Sequence, residues 1–111
     1  MRFLLAAVLL TSAASAASSL DRALLQSVLR RGSPAFKRCY QRALQVRPAL
    51  AGKARLTLDV AADGKVSEVT VEFPMLADDF TACLREGAMR LRFPKGPATF
   101  RLVWPIDFRP G

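Results

Sequence analysis

At Lys53 the spacing of apolar residues changes from three-and-four to two, and this switch separates helical from sheet-forming stretches before any other feature is considered. Upstream, Leu20, Leu24 and Val28, with Leu25 and Leu29 beside them, predict a helix over 19–31. Gly32 is expected to end it; Ser33 is suited to cap a second helix and Pro34 to occupy its first turn. That second helix presents Phe36, Cys39, Tyr40, Ala43 and Leu44 on one face, and Pro48 stops it, because proline lacks the amide donor a helix needs. Downstream, Ala54, Leu56, Leu58 and Val60 alternate with Lys53, Arg55, Thr57 and Asp59, the pattern of a half-buried strand. Asp63-Gly64 predicts a tight hairpin turn, and the returning strand inserts Val69, Val71 and Phe73. Val66 falls out of phase with that set, which predicts a bulge just after the turn.

Asp78 is expected to cap a third helix with Phe80, Cys83, Leu84, Gly87, Ala88 and Leu91 on its inner face. A last strand follows, in which Phe100, Leu102, Trp104, Ile106 and Phe108 point inward, Trp104 being expected in the core. The order helix, helix, strand, strand, helix, strand implies an α+β fold with helices packed on one face of a three-stranded sheet. Placing the last strand beside the first gives an antiparallel sheet of order 2-1-3. Pro105 supports that placement, because proline is tolerated at a sheet edge and disfavoured in its middle.

The N-terminus has the layout of an export leader: Met1-Arg2, an apolar run from Phe3 to Leu10, and Ala14-Ser15-Ala16 as a cleavage site. The expected products are a leader of residues 1–16 and a single domain of residues 17–111 in the periplasm or outside the cell, with no stable membrane insertion after cleavage. Roughly 95 residues fold with a thin stability margin. Cys39 and Cys83 are the only cysteines, and an even pair in an exported chain predicts one disulfide, two buried thiols being the alternative. Each lies three residues after a phenylalanine on the apolar face of its helix, so a helix-to-helix bridge is sterically reasonable.

The formal charge of +8 falls by one when Arg2 leaves with the leader. The basic residues are spread along the chain without interleaved aromatics, which disfavours a nucleic-acid partner. An acidic partner or an anionic envelope surface suits the excess, as does a plain solubility charge. Arg30-Arg31 falls at the expected end of the first helix, where cations complement the dipole. Catalytic chemistry is poorly supplied: the chain has no histidine, Asp78-Asp79 is explained by a helix start, and no zinc spacing or glycine-rich phosphate loop occurs. No enzyme activity, cofactor or metal is expected.

Cys39-Tyr40-x-x-Ala43-Leu44, Pro48-Ala49-Leu50-Ala51-Gly52-Lys53, Asp63-Gly64-Lys65-Val66, Cys83-Leu84 and Phe93-Pro94 together resemble the AgmX/PglI C-terminal family, which is similar to the TonB C-terminal domain. The resemblance runs over about residues 20–108 and implies a TonB-C-terminal-like α-α-β-β-α-β fold with Cys39 and Cys83 paired. It further implies an envelope-associated binding module, linked to transport or motility complexes, that accepts a peptide strand on its last edge. Here that edge corresponds to Thr99, Phe100, Arg101, Leu102 and Val103, ahead of Pro105, with Arg101 placed to favour an acidic peptide. Such domains also pair by strand exchange, so a homodimer is admitted. With the leader removed, the product is expected to depart from TonB proper, which keeps a membrane anchor and a long proline-rich spacer. A second function class follows from charge alone, a basic structural or carrier protein held electrostatically on anionic envelope polymer.

Overall fold

The computed structural model describes the backbone of residues 2–110 and the side chains of residues 22–110. The proposed leader and its cleavage after Ala16 fall outside the described side chains. Five elements follow in order: α1 (Arg2–Val46), β1 (Gly52–Val60), β2 (Val66–Glu72), α2 (Asp78–Met89) and β3 (Phe100–Phe108). The strands form one antiparallel sheet of order β2-β1-β3, the expected α+β architecture with helices on one face.

The helix count differs from expectation. The two helices expected on either side of Gly32 are one, and α1 runs through Gly32, Ser33 and Pro34 without interruption. The reason is tertiary. Val28, Phe36, Cys39, Tyr40 and Ala43 are buried on one continuous helical stripe, so breaking the helix would forfeit packing on both sides of the break. Pro34 lies on the exposed side, where the carbonyl it leaves unpartnered can be solvated. Ser33 does not cap; its hydroxyl donates to the Leu29 carbonyl 3.2 Å away. Gly32 serves as a crossing point, since a Cβ there would stand 2.7 Å from Leu91 Cδ2. Past α1, Arg47, Pro48 and Ala49 turn the chain, with the Leu50 amide donating to the Arg47 carbonyl.

The hairpin between β1 and β2 is built from two irregularities. Gly64 N–H donates to the Ala61 carbonyl and Ala61 N–H donates to the Lys65 carbonyl, both at 2.9 Å, with Gly64 at φ +91°. This is a tight turn closed by a glycine bulge. A second bulge lies two residues on, where the register passes from Val60↔Val66 to Asp59↔Glu68 and leaves Ser67 unpaired, as the phase of Val66 predicts. Gly64 answers a second constraint that its sequence context does not reveal. Phe93 N–H donates to the Gly64 carbonyl at 2.8 Å, and a Cβ on Gly64 would come within 1.9 Å of the Phe93 carbonyl oxygen. The connection from α2 to β3 is therefore laid directly on the hairpin turn.

Asp78 does not cap α2: the capping position belongs to buried Ala77, and Asp78 and Asp79 occupy the first turn, where carboxylates complement the dipole. Asp79 also accepts from Arg47 at 2.8 Å, joining the end of α1 to the start of α2. Between the helices and the sheet, Leu50, Leu56, Leu58, Val60, Phe80 and Leu84 are fully buried. Tyr40, Phe73, Phe80 and Phe108 pack ring against ring beside them. The Tyr40 hydroxyl donates to the Leu50 carbonyl, which satisfies a polar atom that α1 sends into this cluster, and burial raises its pKa. Cys39 and Cys83 are bonded, with their Cα atoms 5.8 Å apart, so the helical layer is covalently closed. Closing a loop of 44 residues contributes about 4 kcal/mol through loop-closure entropy.

Candidate partner-binding edge and cleft

In the order β2-β1-β3, the last strand pairs with β1 on one side and with nothing on the other. The direction of its free backbone groups follows from the hairpin. Ala61 N–H is aimed at β2, and backbone groups alternate sides along a strand, so Val60, Leu58, Leu56, Ala54 and Gly52 address β3. Their partners in register are Phe100, Leu102, Trp104, Ile106 and Phe108. Arg101, Val103, Pro105 and Asp107 therefore turn their backbone groups toward the open edge. Pro105 thus falls where its missing amide costs no ladder bond, the position a strand proline requires.

Beside this edge the helical cover is incomplete. Leu102, Trp104 and Ile106 are half-buried although their phase directs them toward α1. The Trp104 ring meets Phe36 edge-on at 5.0 Å and remains open on its outer side. A cleft of about 440 Å³ runs between α1 and β3, with Phe36, Lys37 and Tyr40 on the helix wall and Trp104, Ile106 and Phe108 on the strand wall. A second hollow continues it past Trp104 to Leu29 and Arg30. The site thus offers backbone donors and acceptors at the rim and apolar surface just inside it.

The five edge residues expected from sequence are distributed unequally around it. Thr99 precedes β3 and lines a separate hollow with Asp59, Val60 and Ser67. Phe100 packs its ring against Phe93 at 5.8 Å. Leu102 lies beneath the edge, while Arg101 and Val103 stand on the uncovered face of the sheet, Val103 being 48% exposed. Arg101 is engaged: its Nε donates to Asp59 Oδ1 at 2.7 Å and its Nη2 to Oδ2 at 3.4 Å. These hydrogen bonds hold the Asp59 carboxyl below the usual carboxylate range and raise the Arg101 pKa. On the helix wall, Arg30 and Lys37 make no ion pair with any described residue, so they are the cations available to a ligand in the cleft. The Cys39–Cys83 bridge lies between α1 and α2, away from the edge.

Trp104, Ile106 and Phe108, whose inward phase predicts core positions, form the cleft's strand wall together with Pro105, Asp107 and Arg109. Inward phase identifies which side chains turn toward the helices and says nothing of how far the helices reach. Among the described residues no three His, Cys, Asp or Glu side chains are grouped to hold a metal ion. No described helix is long and apolar enough to cross a membrane.

No family model matches the chain, and no curated protein does. The AgmX/PglI assignment accordingly has no support from comparison. Among solved structures, the chain is similar to the C-terminal domain of TonB from Helicobacter pylori, determined by NMR in solution. The identity is 20% and the TM-score 0.43, over 81% of this chain and 91% of that one.

Proposed function

We propose that this protein is an exported, non-catalytic binding module that receives an extended segment of an envelope protein as a fourth strand on β3. The observation that supports this is the coincidence of an unpaired strand edge with an adjoining apolar cleft. An added strand would take backbone hydrogen bonds from Arg101 and Val103 and set alternate side chains over Trp104, Ile106 and Phe36. Trp104 and Ile106, half-buried in the isolated chain, would gain burial there. Pro105 limits the ladder on one side and Thr99 marks its other end, so the recognised core is short. Acidic residues in the partner would find Lys37 and Arg30 on the facing wall, with Arg101 less available because Asp59 already holds it. The export context rests on the N-terminal sequence and agrees with a bridged cysteine pair.

The test is selection from a displayed library of extended peptides, followed by amide exchange on the complex. Selected peptides should carry apolar residues at alternate positions and should slow exchange at Arg101 and Val103. Val103→Pro, which removes one outward amide at an exposed position, should weaken binding by about tenfold or more. Peptides that leave both amides exchanging freely, or that bind Val103→Pro unchanged, would refute the proposal.

A further inference from the structure

In the sequence, Arg30 and Arg31 read as cations at a helix end. The continuity of α1 removes that explanation, because both now lie mid-helix. They belong to a longer run: from Arg22 to Arg47 the chain carries seven basic residues and no Asp or Glu. Part of this charge lines a groove of about 360 Å³ between α1 and the C-terminal end of α2, on a different surface from the β3 cleft. Its walls carry Arg31 and Arg38 from α1, Arg90 at the end of α2, and Arg92 just beyond it. Its floor includes Gly32, Gly87 and Leu91.

Two of these guanidinium groups are held in place. Arg31 donates to Ser27 Oγ at 3.3 Å, and Arg92 donates to the carbonyls of Met89 and Leu91 at 3.3 and 3.1 Å. Arg38 and Arg90 make neither a hydrogen bond nor an ion pair with any described side chain. Glu86 lies one turn before Arg90 on α2 but does not line the groove or pair with it. The carbonyl end of α2 accounts for cations at Arg90 and Arg92. It does not account for Arg31 and Arg38, which come from the middle of another helix. Four cations in one hollow without a carboxylate repel one another, a cost that a bound anion would remove.

The floor is also preorganised. A Cβ on Gly32 would stand 2.7 Å from Leu91, and one on Gly87 would stand 3.2 Å from Phe36, so both glycines let the helices approach closely. About two turns after Gly32 on α1 and one turn before Gly87 on α2, Cys39 and Cys83 fasten the same pair of helices covalently. The groove therefore presents its charge on a scaffold that need not reorganise to bind.

From this geometry we infer that the α1–α2 groove is an anion site for a phosphate group, taken from a lipid headgroup or from a soluble phosphate ester or polymer. A single carboxylate saturates one guanidinium fork, whereas a phosphate offers several oxygens and more than one charge to several forks at once. This site is independent of strand addition on β3.

The test uses the full-length protein and two probes, inorganic pyrophosphate at constant ionic strength and vesicles of phosphatidylglycerol set against phosphatidylcholine. Pyrophosphate should titrate a single saturable site by calorimetry. Arg38→Gln combined with Arg90→Gln should weaken it by about tenfold or more. Lys53→Gln with Arg55→Gln, on the opposite face of the sheet, should leave it unchanged. Vesicle binding confined to phosphatidylglycerol and lost in the groove variant identifies a lipid headgroup as the source. Pyrophosphate binding without vesicle binding identifies a soluble phosphate. The inference is overturned if neither probe saturates, or if the groove and sheet variants lose binding equally.

Discussion

Arg101 shows how a single ion pair changes the chemistry offered by an edge. It stands opposite Asp59 in the β1–β3 register, and both side chains lie on the uncovered face of the sheet. Since Asp59 and Arg101 turn their backbone groups away from each other, they form a non-hydrogen-bonded pair, the arrangement in which cross-strand side chains come closest. Arg101 therefore spends its charge within the fold, and under the proposed binding mode an acidic ligand would meet the cations of the helix wall instead. The carboxyl carbon of Asp59, followed by NMR against pH, should titrate below an ordinary aspartate, and in Arg101→Gln its midpoint should rise. An unchanged midpoint would mean that the pair does not persist in solution. The sign for stability follows. A depressed native pKa contributes stability that is present above the unfolded carboxyl value of about 3.9 and is lost as pH falls through the native value. Solvent exposure keeps that contribution small.

At the scale of elements, the residues that defined the strands in the sequence also define them in the structure. Strict alternation from Ala54 to Val60 places each inner residue at 1% exposure or less, and the misplaced phase of Val66 marks a real bulge. Alternation was legible because a strand's buried face depends on its own period and on little else. Gly32, Ser33 and Pro34 misled for the opposite reason. Each is a genuine local signal for a helix boundary, yet the stripe from Val28 to Ala43 buries more as one helix than as two. The cleft was illegible for a related reason: no residue of β3 encodes where α1 stops covering it. If Pro34 is a tolerated cost in a helix held by packing, Pro34→Ala should raise stability by up to about 3 kcal/mol in denaturant unfolding. A loss of stability would show that the proline sets a bend the packing requires.

Across the whole molecule, charge is divided by face. The uncovered side of the sheet carries Lys53, Arg55 and Arg101 against Asp59, Glu68, Glu72 and Asp107, with Arg55–Glu72 and Arg101–Asp59 paired across strands. The excess positive charge consequently lies off that face, and the run without carboxylates from Arg22 to Arg47 concentrates much of it in the helical layer. The two proposed surfaces should then answer differently to salt. Phosphate held by arginines in the α1–α2 groove loses its attraction as counterions screen it, whereas a strand on β3 is held by backbone hydrogen bonds and by burial over Trp104 and Ile106. Raising sodium chloride from about 0.05 to about 0.5 M should weaken pyrophosphate binding by about tenfold or more and change peptide affinity by less than about threefold. Peptide affinity that falls as steeply as phosphate affinity would place the peptide on Lys37 and Arg30 by charge alone, and β3 would then be a protected edge and not a docking strand.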